Sequence, residues 1–317
     1  MSEVYFSRNT REVAILNAIG FVLLLSLSAN YAQAAPVALW GIKNCDGDAA
    51  CPGSGDGSNI PANIFQINSD GSGFVNHGQV TLGGNAIDAD GFAISENSPN
   101  SLMGFRIAHD DLVNSDNGTG SQLISIDTAA PTIATAIGTT LDGRDIRGAG
   151  FDSFGRLWAL DSANNELLRI DTATGSVLEN ASLFLGTIAI DIATAADIAF
   201  RPDGSAIIAS GDTFYEADLV SKTVFELFDD PGGFYSGLIY EPMSGDLIAF
   251  EVTGSDDVFR FDSFGNKTLI TTPVFSFNAG RGDLAAVVNF QPIPVPATLW
   301  FFVPALSGLL LTRRRQN

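Results

Sequence analysis

Short runs of alternating apolar and polar residues fill the middle of the chain, broken every few positions by Gly, Asn, Asp or Ser. That rhythm predicts strands and tight turns. One motif recurs, an apolar strand ending in an acid or amide: Phe65-Gln66-Ile67-Asn68, Ile124-Ser125-Ile126-Asp127, Leu168-Arg169-Ile170-Asp171, Tyr215-Glu216-Ala217-Asp218 and Phe259-Arg260-Phe261-Asp262. The five copies are 59, 44, 47 and 44 residues apart. A second motif, Gly91-Phe92, Gly150-Phe151, Ala199-Phe200 and Ile239-Tyr240, ends a small-residue strand in each unit. Hairpin turns follow at Ser153-Phe154-Gly155, Pro202-Asp203-Gly204 and Met243-Ser244-Gly245. A repeat of this length with four strands per unit predicts a blade, and the chain an all-β propeller.

The first unit has strands around 37–42, 63–67 and 74–80 but no innermost one. The segment Gly282-Asp283-Leu284-Ala285 matches Ala196-Asp197-Ile198-Ala199 and opens a spare strand over 283–290. Lending it to the first unit closes a ring of five four-stranded blades and hides two sheet edges. A β-sandwich is the alternative fold.

Both ends of the chain are different in character. Arg8 and Arg11 precede an apolar run over residues 14–29, and Ala32-Gln33-Ala34 supplies a small-x-small cleavage pattern. This predicts a signal peptide over 1–34; the alternative is a membrane anchor, for which the run is short of the ~20 residues required. The propeller domain is then expected over 35–291 and a C-terminal signal over 292–317. Gln291-Pro292-Ile293-Pro294-Val295-Pro296 alternates prolines, which fix φ and lack a donor, so it predicts an extended linker. Residues 298–311 are apolar, and as a helix reach only ~21 Å against a hydrocarbon core of ~30 Å. Arg313, Arg314 and Arg315 would hold that helix's end in the cytoplasm and leave the preceding domain outside the inner membrane.

The motif Ile293-Pro294-Val295-Pro296-Ala297, the short hydrophobic segment and the arginine cluster together resemble the PEP-CTERM class of sorting signals, most closely its VPxPA variant. Ile293 stands where valine is usual, and Val295 where glutamate or leucine is usual. The resemblance covers about the last 25 residues. It implies processing by an exosortase after a transient inner-membrane stage. The expected destination is the cell surface or extracellular matrix, in company with exopolysaccharide. The segment Arg169-Ile170-Asp171-Thr172-Ala173-Thr174-Gly175 and residues 150–161 resemble blades of gluconolactonase-like bacterial propellers, at scaffold positions that carry over no catalytic residue.

Charge and chemistry narrow the function classes. A formal net charge of −20 repels phosphate backbones and makes nucleic acid a poor partner. Cys45 and Cys51 are the only cysteines, flank one Gly/Asp-rich loop, and are expected to be bridged in an exported protein. The glycine-rich run Gly53-Ser54-Gly55-Asp56-Gly57-Ser58 lacks the strand and helix of a phosphate loop. His77 and His109 have no metal-ligand spacing, and no nucleophile elbow or paired-His zinc helix is present. Arg281-Gly282-Asp283 spells an adhesion tripeptide but enters an expected inner strand. Two acidic loops are candidate calcium sites, one with Asp46, Asp48 and Asp56, the other with Asp110, Asp111, Asp116 and Asn117, although neither has EF-hand spacing.

The repeat alignment places Asp88, Arg147, Asp197, Ser236 and Asp283 where the inner strands begin, around the ring axis. They are the candidate ligand-binding residues, for a cation or sugar hydroxyls. No catalytic residue and no cofactor beyond calcium is assigned. Two functions follow: a non-catalytic binding or structural propeller of the envelope or matrix, or a propeller hydrolase or lactonase acting on matrix polysaccharide or a lactone. Carboxylates at strand ends also serve simply as hydrogen-bond partners.

Overall fold

The computed structural model describes residues 36–44, 62–108, 120–252, 256–273 and 282–286. They form a β-propeller of five sheets. From the axis outward, the third blade runs Ile146–Phe151, Leu157–Asp161, Glu166–Ile170 and Val177–Ala181, all antiparallel. The fifth repeats the plan with Tyr235–Glu241, Asp246–Glu251, Val258–Phe261 and Lys267–Thr271. The second starts at Ala89–Ser95 and the fourth at Ala196–Phe200. Each of these two also gains a short hairpin at its outer edge by parallel pairing, Thr81 with Ile133 and Phe184 with Thr223.

The first blade is closed by both ends of the domain. Gly282–Ala286 pairs antiparallel with Ala38–Asn44, with Leu284 opposite Gly41, and Ala62–Asn68 and Val75–Gln79 complete the sheet. The spare strand therefore sits where the repeat alignment placed it. Its described extent is five residues, and 287–290 lie outside the described residues.

Five apolar cores hold the sheets together, one in each seam. Phe65, Phe250 and Leu284 lie between the first and fifth blades, and Ile42, Phe92 and Ile124 between the first and second. Phe105 and Leu157 fill the second seam, Trp158 and Ile208 the third, Phe214 and Phe261 the fourth. Alternation explains this: each inner and middle strand is covered on both faces, so nearly every residue is buried, as in Ala89–Ser95 and Ala206–Ser210.

The recurrent acid has a local cause. Asn68, Asp127 and Asp218 end the third strand of their blades, and Asp171 and Asp262 directly follow it. The four aspartates accept a hydrogen bond from the backbone N–H two residues on, at 2.8–2.9 Å, and so start the turn into the outermost strand. His77 lies half-buried on the outer strand of the first blade, stacked on Trp40 with ring centroids 5.2 Å apart. The expected signal peptide, the cysteine bridge of Cys45 and Cys51, both acidic loops, Arg281 and the C-terminal signal fall outside the described residues.

Candidate functional site

An inner strand pairs on one side only, so its other edge faces the ring axis. Five inner-strand N–H groups, one per blade, converge there on two carboxylates. Asp197 accepts from Ala149 at 3.0 Å, Ile198 at 2.7 Å and Leu238 at 2.5 Å. Asp283 accepts from Phe92 at 2.5 Å and Leu284 at 2.6 Å. Both side chains are fully buried, and the two are hydrogen-bonded to each other. Together they plug the channel.

The same layer spans the remaining seams. The Ser236 hydroxyl donates to the Gly282 carbonyl, linking the fifth blade to the first. Arg147 of the third blade places Nη1 3.7 Å from the Asp90 carboxylate of the second. Arg147 also donates through Nε to Asp145 at 2.9 Å and through Nη2 at 2.5 Å. Every seam is thus crossed at the axis by one polar side chain.

Four of the five sequence-derived axis residues occupy this layer: Arg147, Asp197, Ser236 and Asp283. The fifth position belongs to Asp90, 1% exposed, rather than Asp88, which precedes the inner strand. The cause is a two-residue offset between the repeats. Phe92 donates its N–H to an axial acid as Ala149 does, so Gly91-Phe92 is the counterpart of Gly148-Ala149, near the strand start, and not of Gly150-Phe151 at the strand end. Counting back from Phe92 as if it matched Phe151 therefore overshoots by two. The signal that finds Asp90 is a triplet of polar residue, glycine and apolar residue: Asp90-Gly91-Phe92, Arg147-Gly148-Ala149, Ser236-Gly237-Leu238. The glycine is needed because the neighbouring blade presses on it. A Cβ on Gly148 would lie 2.3 Å from the Asp197 Cα, and one on Gly237 2.6 Å from the Leu284 nitrogen.

Burial raises the Asp90, Asp197 and Asp283 carboxyls well above the usual carboxylate range. For Asp283 the charges of Asp197 and Asp90 add to it; for Asp90 the Arg147 guanidinium opposes it. The Asp197–Asp283 pair therefore keeps a proton between its members. Folded values above unfolded ones mean a contribution to stability that is complete below about pH 3.9 and lost as pH rises through the folded values. Acids such as Asp203 and Asp262 are instead lowered by hydrogen bonds from Ser205 and Asn266, and their contribution is lost in strong acid. Melting temperature is accordingly expected to rise as pH is lowered toward the ordinary carboxylate range of about 3.9, and to fall again in stronger acid. A scan of thermal melts against pH checks this, and a profile that falls steadily from pH 8 downward contradicts it.

Beyond the plug, where the inner strands end, a cavity of about 380 Å³ opens on the axis. All five blades line it, with Ala149, Ile198, Leu238 and Leu284 in the wall and Asn97 and Ser153 at the rim. The sequence pattern predicts a binding mouth at the other end of the strands, where the plug residues sit. Asp152 at the rim is saturated: it accepts from the Phe154 and Arg156 amides, Arg156 Nε and Trp158 Nε1 at 2.6–2.9 Å. Among the described residues no cluster of three or more His, Cys, Asp or Glu side chains is arranged to hold a metal ion.

No protein-family profile matches the sequence, and no curated protein does. Solved structures similar to it include a streptogramin B lyase at 15% identity and a TM-score of 0.40, covering 73% of this chain and 67% of that one. The virginiamycin B lyase from Staphylococcus aureus is similar at 14% identity and a TM-score of 0.39, covering 74% of each chain. A chain of a nidogen/laminin complex is similar at 10% identity and a TM-score of 0.48, covering 78% of this chain and 82% of that one. The fold assignment rests on the sheet order and the five seams, independently of these likenesses.

Proposed function

We propose that this protein is an exported, non-catalytic propeller that binds or organises material of the cell surface or extracellular matrix. The observation that carries the reading is the axial plug: the acids best placed for chemistry, Asp197 and Asp283, are fully buried and spend their oxygens on backbone N–H groups of all five blades. A hydrolase or lactonase needs carboxylates that a substrate can reach. The ends of the sequence supply the destination. The N-terminal run is read by signal peptidase, and the motif around Pro294, Val295, Pro296 and Ala297 with the terminal arginines is read by an exosortase after a transient inner-membrane stage. The partner of that route is exopolysaccharide.

Co-sedimentation of the cell-derived protein with matrix polysaccharide, followed by a reducing-end assay, tests this. The protein is expected to sediment with the polymer and release no new ends. New ends that disappear in Asp197→Asn, with the fold retained, would make it an enzyme.

A further inference from the structure

The wall of the axial cavity is made of backbone. Ala149, Ile198, Leu238 and Leu284 each turn an N–H toward the axis, so in each antiparallel pair they hold a position not bonded to the partner strand, where the C=O points the same way. The alternation repeats two residues on, at Phe151, Phe200, Tyr240 and Ala286, all of which line the cavity. The first ring of N–H groups is consumed by the plug. A ring of carbonyls and, above it, a second ring of N–H and C=O groups are left facing the cavity. Backbone groups of this kind need a partner, which must be water or a ligand.

Such a wall suits groups that donate and accept at once, and hydroxyls do both. It suits an ion less well. The carboxylates on the floor and a formal charge of −20 oppose an anion, and the N–H ring above the carbonyls opposes a cation. The rim adds an apolar platform. Phe154 is 75% exposed in the turn beside the mouth, with the Arg156 guanidinium 4.9 Å from its ring centroid. Asn97 and Ser153 stand next to it and carry polar side chains. Aromatic faces take the C–H face of a sugar ring while amide and hydroxyl groups take its edge. About 380 Å³ lies within the usual size of small-molecule sites, about 300–1,000 Å³.

We propose that this cavity binds the end of a neutral glycan chain. A chain end is specified because the Asp197–Asp283 plug closes the floor, leaving one mouth through which a terminal sugar can enter. The inference rests on the proposed binding role and assigns that role a place on the molecule.

The test uses the cell-derived protein and neutral oligosaccharides of the gluco-, manno- and galacto-series, by saturation-transfer NMR. Saturation is expected on one terminal residue of at least one series. Ser153→Trp, at an exposed position on the rim, is expected to weaken binding by about tenfold or more, and Phe154→Ala by about three- to tenfold, both with unchanged melting. If the protein sediments with matrix polysaccharide and Ser153→Trp does so equally, the binding role stands and the cavity is not its site. Saturation spread along internal sugars, or a calcium titration that perturbs the cavity while no neutral sugar does, also overturns the assignment. Failure of the wild type to bind any polysaccharide removes the binding role itself.

Discussion

Replacing Asp197 with alanine is expected to cost roughly 3–6 kcal/mol of stability, enough to unfold many domains of this size at 37 °C. The side chain satisfies three backbone N–H groups from three blades, at Ala149, Ile198 and Leu238. Each would be left buried and unpaired, at about 1–3 kcal/mol apiece. Part of this is offset because the variant no longer buries a carboxyl beside Asp283. Asp197→Asn keeps one acceptor but turns an NH₂ toward an N–H, and should fall between alanine and wild type. Urea titration of the three proteins checks the order. An alanine variant within about 1 kcal/mol of wild type would mean that the axis contributes little to holding the ring.

Removing Gly282–Ala286 should have a larger effect still. The deletion strips the pairing partner from the seven-residue strand Ala38–Asn44, opening an edge in the first blade. It also takes Leu284 from the core shared with Phe65 and Phe250, and Asp283 from the plug. The expected product aggregates and has no cooperative melt. A chain ended at Gln291 is expected to melt like the processed protein, since the alternating prolines beyond it cannot join a sheet. Calorimetry of the two truncations distinguishes closure by this strand from a ring that is stable without it; equal melting of both would support the latter.

Much of this architecture was legible in the sequence because it is written locally. The acid at the end of each third strand starts a turn within two residues, so Asp127, Asp171, Asp218 and Asp262 recur visibly. Closure was legible because Gly282-Asp283-Leu284-Ala285 copies Ala196-Asp197-Ile198-Ala199. Two features were hidden. Residues two apart in a strand share a face, so the apolar pattern does not distinguish Gly91-Phe92 near a strand start from Gly150-Phe151 at a strand end, and that two-residue offset hides Asp90. The plug was invisible because its bonds join residues 41, 48 and 191 positions apart. A buried aspartate that staples backbones and one that binds a ligand look alike in sequence.

Hydrogen exchange at the five inner-strand amides tests the account most directly. The N–H groups of Phe92, Ala149, Ile198, Leu238 and Leu284 point to the axis and donate to Asp197 and Asp283, so their protection depends on those two side chains. In the native protein all five should exchange only by global unfolding, as slowly as the central ladder amides. In Asp197→Asn, under conditions where it stays folded, the amides of Ala149, Ile198 and Leu238 should lose protection first. Fast exchange of these five amides in the intact protein, alongside slow exchange in the ladders, would show that the axis is open to solvent and not plugged by its own acids.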